Sequence, residues 1–189
     1  MTESDILATF TETKALLHGH FLLRSGLHSD RYFQAAQVLQ HTRIAARLCA
    51  ELAAGFQGQG IELVISPALG GLVVGQEVGR ALDVRAIFAE KDDQSNLVLR
   101  RGFTIRPGEK LLVVEDVITK GGRVQQTIDL VRAAGGVVAG VAVMVDRSGG
   151  AKLFDVPVRS LVRLDLPTWK PEDCPLCRAG KPVEKPGSK

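Results

Sequence analysis

The chemistry of this chain concentrates in Leu111 to Val124, LLVVEDVITKGGRV, where an apolar run meets two adjacent carboxylates, Glu115 and Asp116, and then Thr119-Lys120-Gly121-Gly122. That order reads as a strand, a loop and the start of a helix. Successive backbone N–H groups in a glycine-rich turn make an anion-binding concavity, and a helix N-terminus adds fractional positive charge, so a phosphate is held without desolvating several side chains. Gly121 and Gly122 permit the close approach. Two carboxylates beside such a turn do not bind phosphate themselves. They suit the vicinal hydroxyls of a sugar whose 5-phosphate fills the loop, or a cation developing nearby. Ribose phosphate fits that pairing. The turn is not a Walker A loop, and the chain has no GxGxxG, which argues against an ATP or NAD site.

Around this segment the pattern is one of short apolar runs separated by helical stretches: IELVIS, GGLVVGQEVGRAL, VRAIFA, KLLVVED, GGRVQQTIDLVRAAG and VVAGVAVMV. Strands apolar on both faces that alternate with helices predict an α/β fold, a parallel sheet covered on both sides by helices. Gly135-Gly136 should close the helix before the last run. Upstream, Ser4 is expected to cap a first helix carrying Ile6, Leu7, Phe10 and Leu17, and Thr42 to open another with Ile44, Ala45, Leu48, Leu52 and Phe56. FLLRSGLHSDRYFQ, within residues 20–39, reads as two short strands or a strand and a loop. Between Phe88 and Pro107 a polar stretch, Glu90 to Asn96, is bounded by strand-like pieces, as in a mobile hairpin or lid. From Pro167 onward five of the eight prolines gather with no helical period, predicting an irregular tail.

The chain has 189 residues, 45% hydrophobic and 24% charged, enough for one ordinary domain with its own core and too apolar to be disordered. The expected segments are a small N-terminal hood (1–40), the α/β core (41–166) and a Pro-rich tail (167–189). The longest apolar runs are about half the roughly 20 residues of a membrane helix, and the N-terminus is acidic, so a soluble cytoplasmic protein is expected. A net charge of +3 without a basic block argues against nucleic acid as the main partner. Cys49 lies on one helical face with Ala45 and Leu52, as a core residue would. Cys174-Pro-Leu-Cys177 is half of a zinc knuckle with no second Cys or His pair after it, so a tail turn is expected there and no metal ligand is assigned. His18, His20, His28 and His41 lack metal-ligand spacing, and solvated or capping roles are expected for them.

VVEDVITKGG resembles the phosphoribosyl pyrophosphate signature of the type I phosphoribosyltransferases. FLLRSGLHSDRYFQ, SPALGG, VMVDRSGG and the ending CPLCRAGKPVEKPGSK are similar to the bacterial, orotate-using members of that family, and the matches span residues 16 to 189. The resemblance implies the type I phosphoribosyltransferase fold, with a small hood over the active site. It also implies a reaction: ribose 5-phosphate passes from phosphoribosyl pyrophosphate to N1 of orotate, giving orotidine 5-phosphate and pyrophosphate in pyrimidine biosynthesis. Mg2+ would be the cofactor and a homodimer with a shared active site the assembly.

Placed on this sequence, the resemblance assigns phosphoribosyl pyrophosphate to Ala68, Leu69, Lys91, Glu115, Asp116, Val117, Ile118, Thr119, Lys120, Gly121, Gly122 and Arg123. Within that set, Thr119 to Arg123 would hold the 5-phosphate and Glu115 with Asp116 the ribose hydroxyls. The turn Ser66-Pro67-Ala68-Leu69-Gly70-Gly71 would meet the pyrophosphate. Orotate would contact Arg24, Tyr32, Phe33, Thr119 and Arg147, the last gripping its carboxylate. Lys91 would reach the neighbouring subunit's pyrophosphate, and the catalytic set would be Lys91, Glu115 and Asp116. The loop after Lys91 departs from the family pattern, carrying Asp92, Asp93 and Gln94, then Arg100 and Arg101. Two alternatives stay open on sequence: the same transfer to a purine, or a non-catalytic regulator that senses phosphoribosyl pyrophosphate.

Overall fold

A six-stranded sheet carries the molecule, with strand order β5-β4-β3-β6-β7-β8. Its members are β3 (Leu63–Pro67), β4 (Arg85–Lys91), β5 (Leu97–Leu99), β6 (Lys110–Ile118), β7 (Val137–Asp146) and β8 (Val158–Arg163). All pairings are parallel except the β4–β5 hairpin at one edge. The computed structural model describes residues 1–23 and 25–186. Among these, no helix is long and apolar enough to cross a membrane.

Strand alternation sorts the central residues into two layers. Val64, Leu112, Val114, Ala142 and Met144 face α3 (Thr42–Ala54) and α4 (Gly71–Leu82), where Leu48, Cys49, Leu52, Val74 and Val78 are buried. Leu63, Ile65, Leu111, Val113, Val141 and Val143 face α5 (Gly122–Ala133) through Val124, Ile128 and Val131. Burial on both faces is why these strands read as continuous apolar runs. Cys49 is fully buried, and that burial pushes its thiol up to about 12, as befits a core side chain. Gly135 takes φ +83° after α5, and Gly136 N–H donates to the Val131 carbonyl at 3.0 Å, the expected glycine stop.

The N-terminal segment differs from expectation in two details. Helix α1 (Glu3–Glu12) is capped by Thr2, not Ser4: Asp5 N–H donates to the Thr2 hydroxyl and Thr2 N–H to the Asp5 carboxylate. The reciprocal box satisfies two helix-end donors where Ser4 would satisfy one. The same helix ends before Leu17, which lies in β1 (Leu16–Leu22). Ile6 and Phe10 join the main core, each such side chain contributing about 1.5–3 kcal/mol by leaving water.

β1 pairs antiparallel with β2 (His28–Phe33), and β2 pairs with β9 (Thr168–Trp169), so a separate three-stranded sheet recruits the tail. A short helix α2 (Ala35–Leu39) leads back into the core. The tail is more ordered than its prolines suggested. After β9 come a 3-10 turn (Pro171–Asp173) and a one-turn helix, α6 (Pro175–Arg178). Leu22 N–H then donates to the Glu184 carbonyl and Glu184 N–H to the His20 carbonyl, both at 2.8 Å. The prolines stand at helix starts and between elements, where a missing N–H costs nothing.

Candidate active site

Strands β3 and β6 are paired from Leu63↔Leu111 to Ile65↔Val113, and beyond Ile65 they part. β3 has β4 as its other neighbour and β6 has β7, so the strand order reverses here, the place where open α/β sheets bind ligands. A cleft of about 640 Å³ opens at these carboxyl ends, lined by Ala68, Leu69, Gly70, Lys91, Glu115, Asp116 and Arg123. A smaller hollow of about 120 Å³ lies over Val117–Val124 and shares Glu115 and Arg123 with the cleft. The two glycine-rich turns read from the sequence therefore border adjoining hollows, with Glu115 of the acidic doublet lining both and Asp116 the larger.

The doublet sits inside the C-terminal part of β6. Asp116 N–H donates to Glu115 Oε1 at 3.0 Å, and Val117 N–H donates to Asp116 Oδ1 at 2.7 Å, so each carboxylate is held by the backbone of the next residue. The turn after β3 closes on these groups. A Cβ at Gly70 would lie 2.8 Å from Asp116 Oδ2, and one at Gly71 would lie 3.1 Å from Glu115 Oε1. Both glycines are set by this approach. Burial, reinforced by the adjacent Asp116 carboxylate, pushes the Glu115 carboxyl up to about 9. Burial and the like charge beside it therefore favour the protonated, neutral form of Glu115.

Gly121 and Gly122 turn out to have different jobs. Gly121 takes φ +72° and a Cβ there would strike the Phe154 ring at 2.7 Å, so backbone conformation and packing both demand glycine. Gly122 meets nothing within 4 Å; it faces open space at the start of α5, and no side chain caps that helix. Room for a phosphate exists at Gly122, and the turn itself is made by Gly121. Thr119 and Lys120 are exposed beside it. Ile118 departs from its expected role, because its side chain is in the core under α5; it keeps only its backbone at the site, where its carbonyl accepts from Arg147 N–H at 2.9 Å.

Arg147 follows β7, half-buried, and its Nε is a buried donor with no partner among the described residues. Burial lowers its pKa, and the nearby Tyr32 hydroxyl works in the opposite direction. An unpaired buried guanidinium N–H is costly, so it marks a position that an acceptor on a ligand would satisfy. Tyr32 and Phe33 were both expected against the base. The structure separates them, because adjacent strand residues face opposite ways: Phe33 is in the core with its ring 4.9 Å from Phe10, while Tyr32 is half-buried on the other face. Arg24 lies outside the described residues.

Lys91 ends β4, exposed and on the rim of its own chain's cleft. The polar stretch beyond it forms the expected hairpin, its turn tied by Gln94 and Asn96 N–H donating to Asp92 Oδ1. Arg101 grips Glu90 with two hydrogen bonds of 2.8 and 2.9 Å and stacks over Phe88, so it is engaged within the hairpin and does not enter the cleft.

Sequence reasoning missed one cluster. His20 and His28, expected to be solvated or capping, are buried, and they converge with Cys174 and Cys177 from the tail, where only a turn was expected. The signal was present as two residue pairs, but no local spacing joins residues so far apart in the chain.

Comparison with known proteins agrees with this geometry. Residues 34–173 match the phosphoribosyl transferase domain. Orotate phosphoribosyltransferase of Pelotomaculum thermopropionicum is 53% identical over 189 residues, covering 100% of this chain and 99% of its own length. That of Chlorobaculum parvum is 52% identical over 190 residues, covering 100% and 97%. Among solved structures, orotate phosphoribosyltransferase from Mycobacterium tuberculosis superposes with a TM-score of 0.69 at 22% identity, covering 86% of this chain and 96% of that one. Adenine phosphoribosyltransferase from Rhodothermus marinus gives 0.67 at 24% identity, covering 84% and 99%. The shared fold thus spans enzymes named for different bases, whereas the two full-length sequence relatives above are both named for orotate. With a cleft at the sheet's switch point and half its residues shared end to end with those relatives, the chain belongs to the phosphoribosyl transferase family, in its orotate phosphoribosyltransferase branch.

Proposed function

We propose that the chain transfers ribose 5-phosphate from phosphoribosyl pyrophosphate to orotate, yielding orotidine 5-phosphate and pyrophosphate for pyrimidine synthesis. The observation that carries this reading is the acidic doublet lying where the hollows of two glycine-rich turns adjoin. A ligand with a phosphate at each end and hydroxyls between matches that order of groups. The 5-phosphate would lie over Gly122 at the N-terminus of α5, the ribose hydroxyls against Glu115 and Asp116, and the pyrophosphate against the Ala68–Gly70 turn, Lys91 and Arg123.

The reaction breaks the bond between C1 and the pyrophosphate oxygen and forms one from C1 to the ring nitrogen, through an oxocarbenium-like sugar. The protein's part is positioning and charge. Protonated Glu115 donates to one ribose hydroxyl while Asp116 accepts from the other, which fixes C1 between nucleophile and leaving group. The Asp116 carboxylate also lies near the positive charge that develops on the sugar. Lys91 and Arg123 supply positive charge to the departing pyrophosphate. Magnesium fits the site in kind, since Asp116 is a hard oxygen donor beside the space for pyrophosphate; when bound, it neutralises charge on the leaving group.

Orotate is favoured over a purine because Arg147 presents an unsatisfied buried N–H next to Tyr32, and orotate carries a carboxylate that a neutral purine lacks. The test is consumption of orotate, followed by loss of its ultraviolet absorbance, with magnesium and phosphoribosyl pyrophosphate, set beside uracil, adenine and hypoxanthine. Turnover of adenine or hypoxanthine without orotate would overturn the choice of base. Tight nucleic-acid binding without any turnover would instead favour a regulator. A cytoplasmic homodimer with a shared site completes the proposal, with sedimentation to measure its mass. If Lys91 serves the partner's cleft, mixing the impaired variants Lys91→Ala and Asp116→Asn raises activity above that of either alone; no gain would assign Lys91 to the cleft it borders in its own chain.

A further inference from the structure

Three chain segments, β1, β2 and the α6 region of the tail, meet at one cluster of nitrogen and sulfur atoms. His20 Nε2 lies 2.8 Å from His28 Nδ1. Cys174 Sγ lies 3.5 Å from His20 Nε2, and Cys177 Sγ lies 3.7 Å from His20 Nε2 and 3.3 Å from His28 Nδ1. All four atoms fall within 4.8 Å of one another. We propose that His20, His28, Cys174 and Cys177 form a closed tetrahedral site for zinc, a structural metal separate from the reaction's own cation.

The distances match the chemistry. With metal–nitrogen bonds of about 2.0–2.1 Å and metal–sulfur bonds of about 2.3 Å, a tetrahedron has nitrogen–sulfur edges of about 3.6 Å and a nitrogen–nitrogen edge of about 3.3 Å. The three nitrogen–sulfur separations straddle the first value. The two imidazoles would part by about half an ångström to reach the second.

Each ligand is also set up by its surroundings. His20 Nδ1–H donates to the Lys181 carbonyl at 2.9 Å. That bond puts the proton on Nδ1, leaves the Nε2 lone pair facing the cluster, and is the outer-shell contact that metal-bound histidines make. Cys174 and Cys177 stand three apart around the single turn of α6, which brings both sulfurs to one side. The β1–β2 register shift between His18 and Phe21 falls at His20, and such irregularities re-aim side chains. His20, His28 and Cys174 are 4%, 6% and 0% exposed. Cys177 lies at the exposed side of the cluster, and without a metal the polar atoms of the four side chains have one imidazole–imidazole hydrogen bond and weaker sulfur contacts among themselves.

Two thiolates and two neutral imidazoles neutralise a divalent cation, and binding releases two thiol protons to solvent. Four protein ligands leave no open position, which fits a structural role and excludes direct participation in sugar transfer. Magnesium, a hard cation, is a poor match for these donors. The clamp would fasten the β1–β2 hairpin, which carries Tyr32, to the C-terminal segment.

The test uses the full chain, purified under reducing conditions without a metal-chelating tag. Elemental analysis should find one zinc per chain that survives desalting. After removal of metal, cobalt titration should give the intense visible and thiolate charge-transfer bands of a tetrahedral two-thiolate site. Cys174→Ser and His28→Ala should weaken or abolish those bands, and His18→Ala should leave them intact. A strong chelator should lower the melting temperature, with zinc restoring it. A wild-type chain that neither contains zinc nor takes up zinc or cobalt would overturn the proposal, and that readout stands even if the variants fail to fold. Cobalt bands unchanged in folded Cys174→Ser would overturn the assignment equally.

Discussion

Replacing Glu115 by Gln isolates the electrostatics of the acidic doublet, because glutamine has the same shape and no titration. In the unfolded chain Glu115 titrates near 4.5, and in the folded chain near 9, raised by burial and by Asp116. The sign follows from linkage: a carboxyl with a raised folded pKa contributes stability that is fully present below about 4.5 and is lost as pH climbs toward about 9. In that window folding takes up a proton, at about 1.4 kcal/mol per pH unit, which amounts to about 3 kcal/mol by pH 7. Coupling to Asp116 and access of water to the cleft reduce this, so a gain of about 1–3 kcal/mol is expected for Glu115→Gln at pH 8 relative to pH 5. Urea midpoints of the two proteins at fixed ionic strength, from about pH 5 to pH 8.5, measure it directly. The variant should match the parent at the acid end and exceed it progressively above. Asp116→Asn removes the neighbouring charge, so its own curve should fall less steeply with pH than the parent's. Parallel stability curves for parent and Glu115→Gln would refute the conclusion that Glu115 is protonated at neutral pH, and with it the donor role given to that acid.

Four further outcomes follow from single distances or angles. Arg147→Met should raise the orotate KM about 10–100-fold, the worth of a lost charge-assisted pair, while leaving the stability of the free protein unchanged or higher, because no protein partner is lost; a rise confined to the phosphoribosyl pyrophosphate KM would sink the base-site placement. Gly70→Ala places a methyl 2.8 Å from Asp116 Oδ2 and should cut kcat/KM by about tenfold or more with little change in melting temperature; kinetics like the parent's would show that the carboxylate position is not critical. Gly121→Ala should cost about 1–3 kcal/mol in urea unfolding from its φ of +72° and the clash with Phe154, whereas Gly122→Ala should leave stability intact and raise the requirement for phosphoribosyl pyrophosphate. The reverse ranking would exchange the roles of the two glycines. Asp116→Asn should slow turnover by about ten- to a hundredfold through the lost sugar contact, and unchanged steady-state rates would remove Asp116 from the site.

What could be read from the chain alone depended on how far apart in sequence the cause and the effect lie. The parallel sheet was legible because β3, β6 and β7 are buried on both faces and each announces this within a few residues. The doublet and the turn behind it were legible because strand, acids, glycines and helix follow one another in a single segment. Failures occurred where the deciding partner is distant. Nothing local distinguishes Phe33 from Tyr32, and only the packing of α1 against β2 places Phe10 beneath one of them. Gly121 and Gly122 look equivalent until Phe154 arrives from beyond β7. The sharpest case is the cluster of His20, His28, Cys174 and Cys177. A histidine pair in one hairpin and a cysteine pair in the tail are each too few to close a tetrahedron, so each pair alone is read correctly as incomplete. Completion is a property of topology: β9 adds to β2, the backbone of Glu184 bonds to β1, and those two attachments bring the tail's sulfurs over the hairpin's imidazoles. The backbone pairing that orders a proline-rich tail is therefore the same pairing that assembles the ligands, and loss of the metal should loosen the tail and the Tyr32 hairpin together.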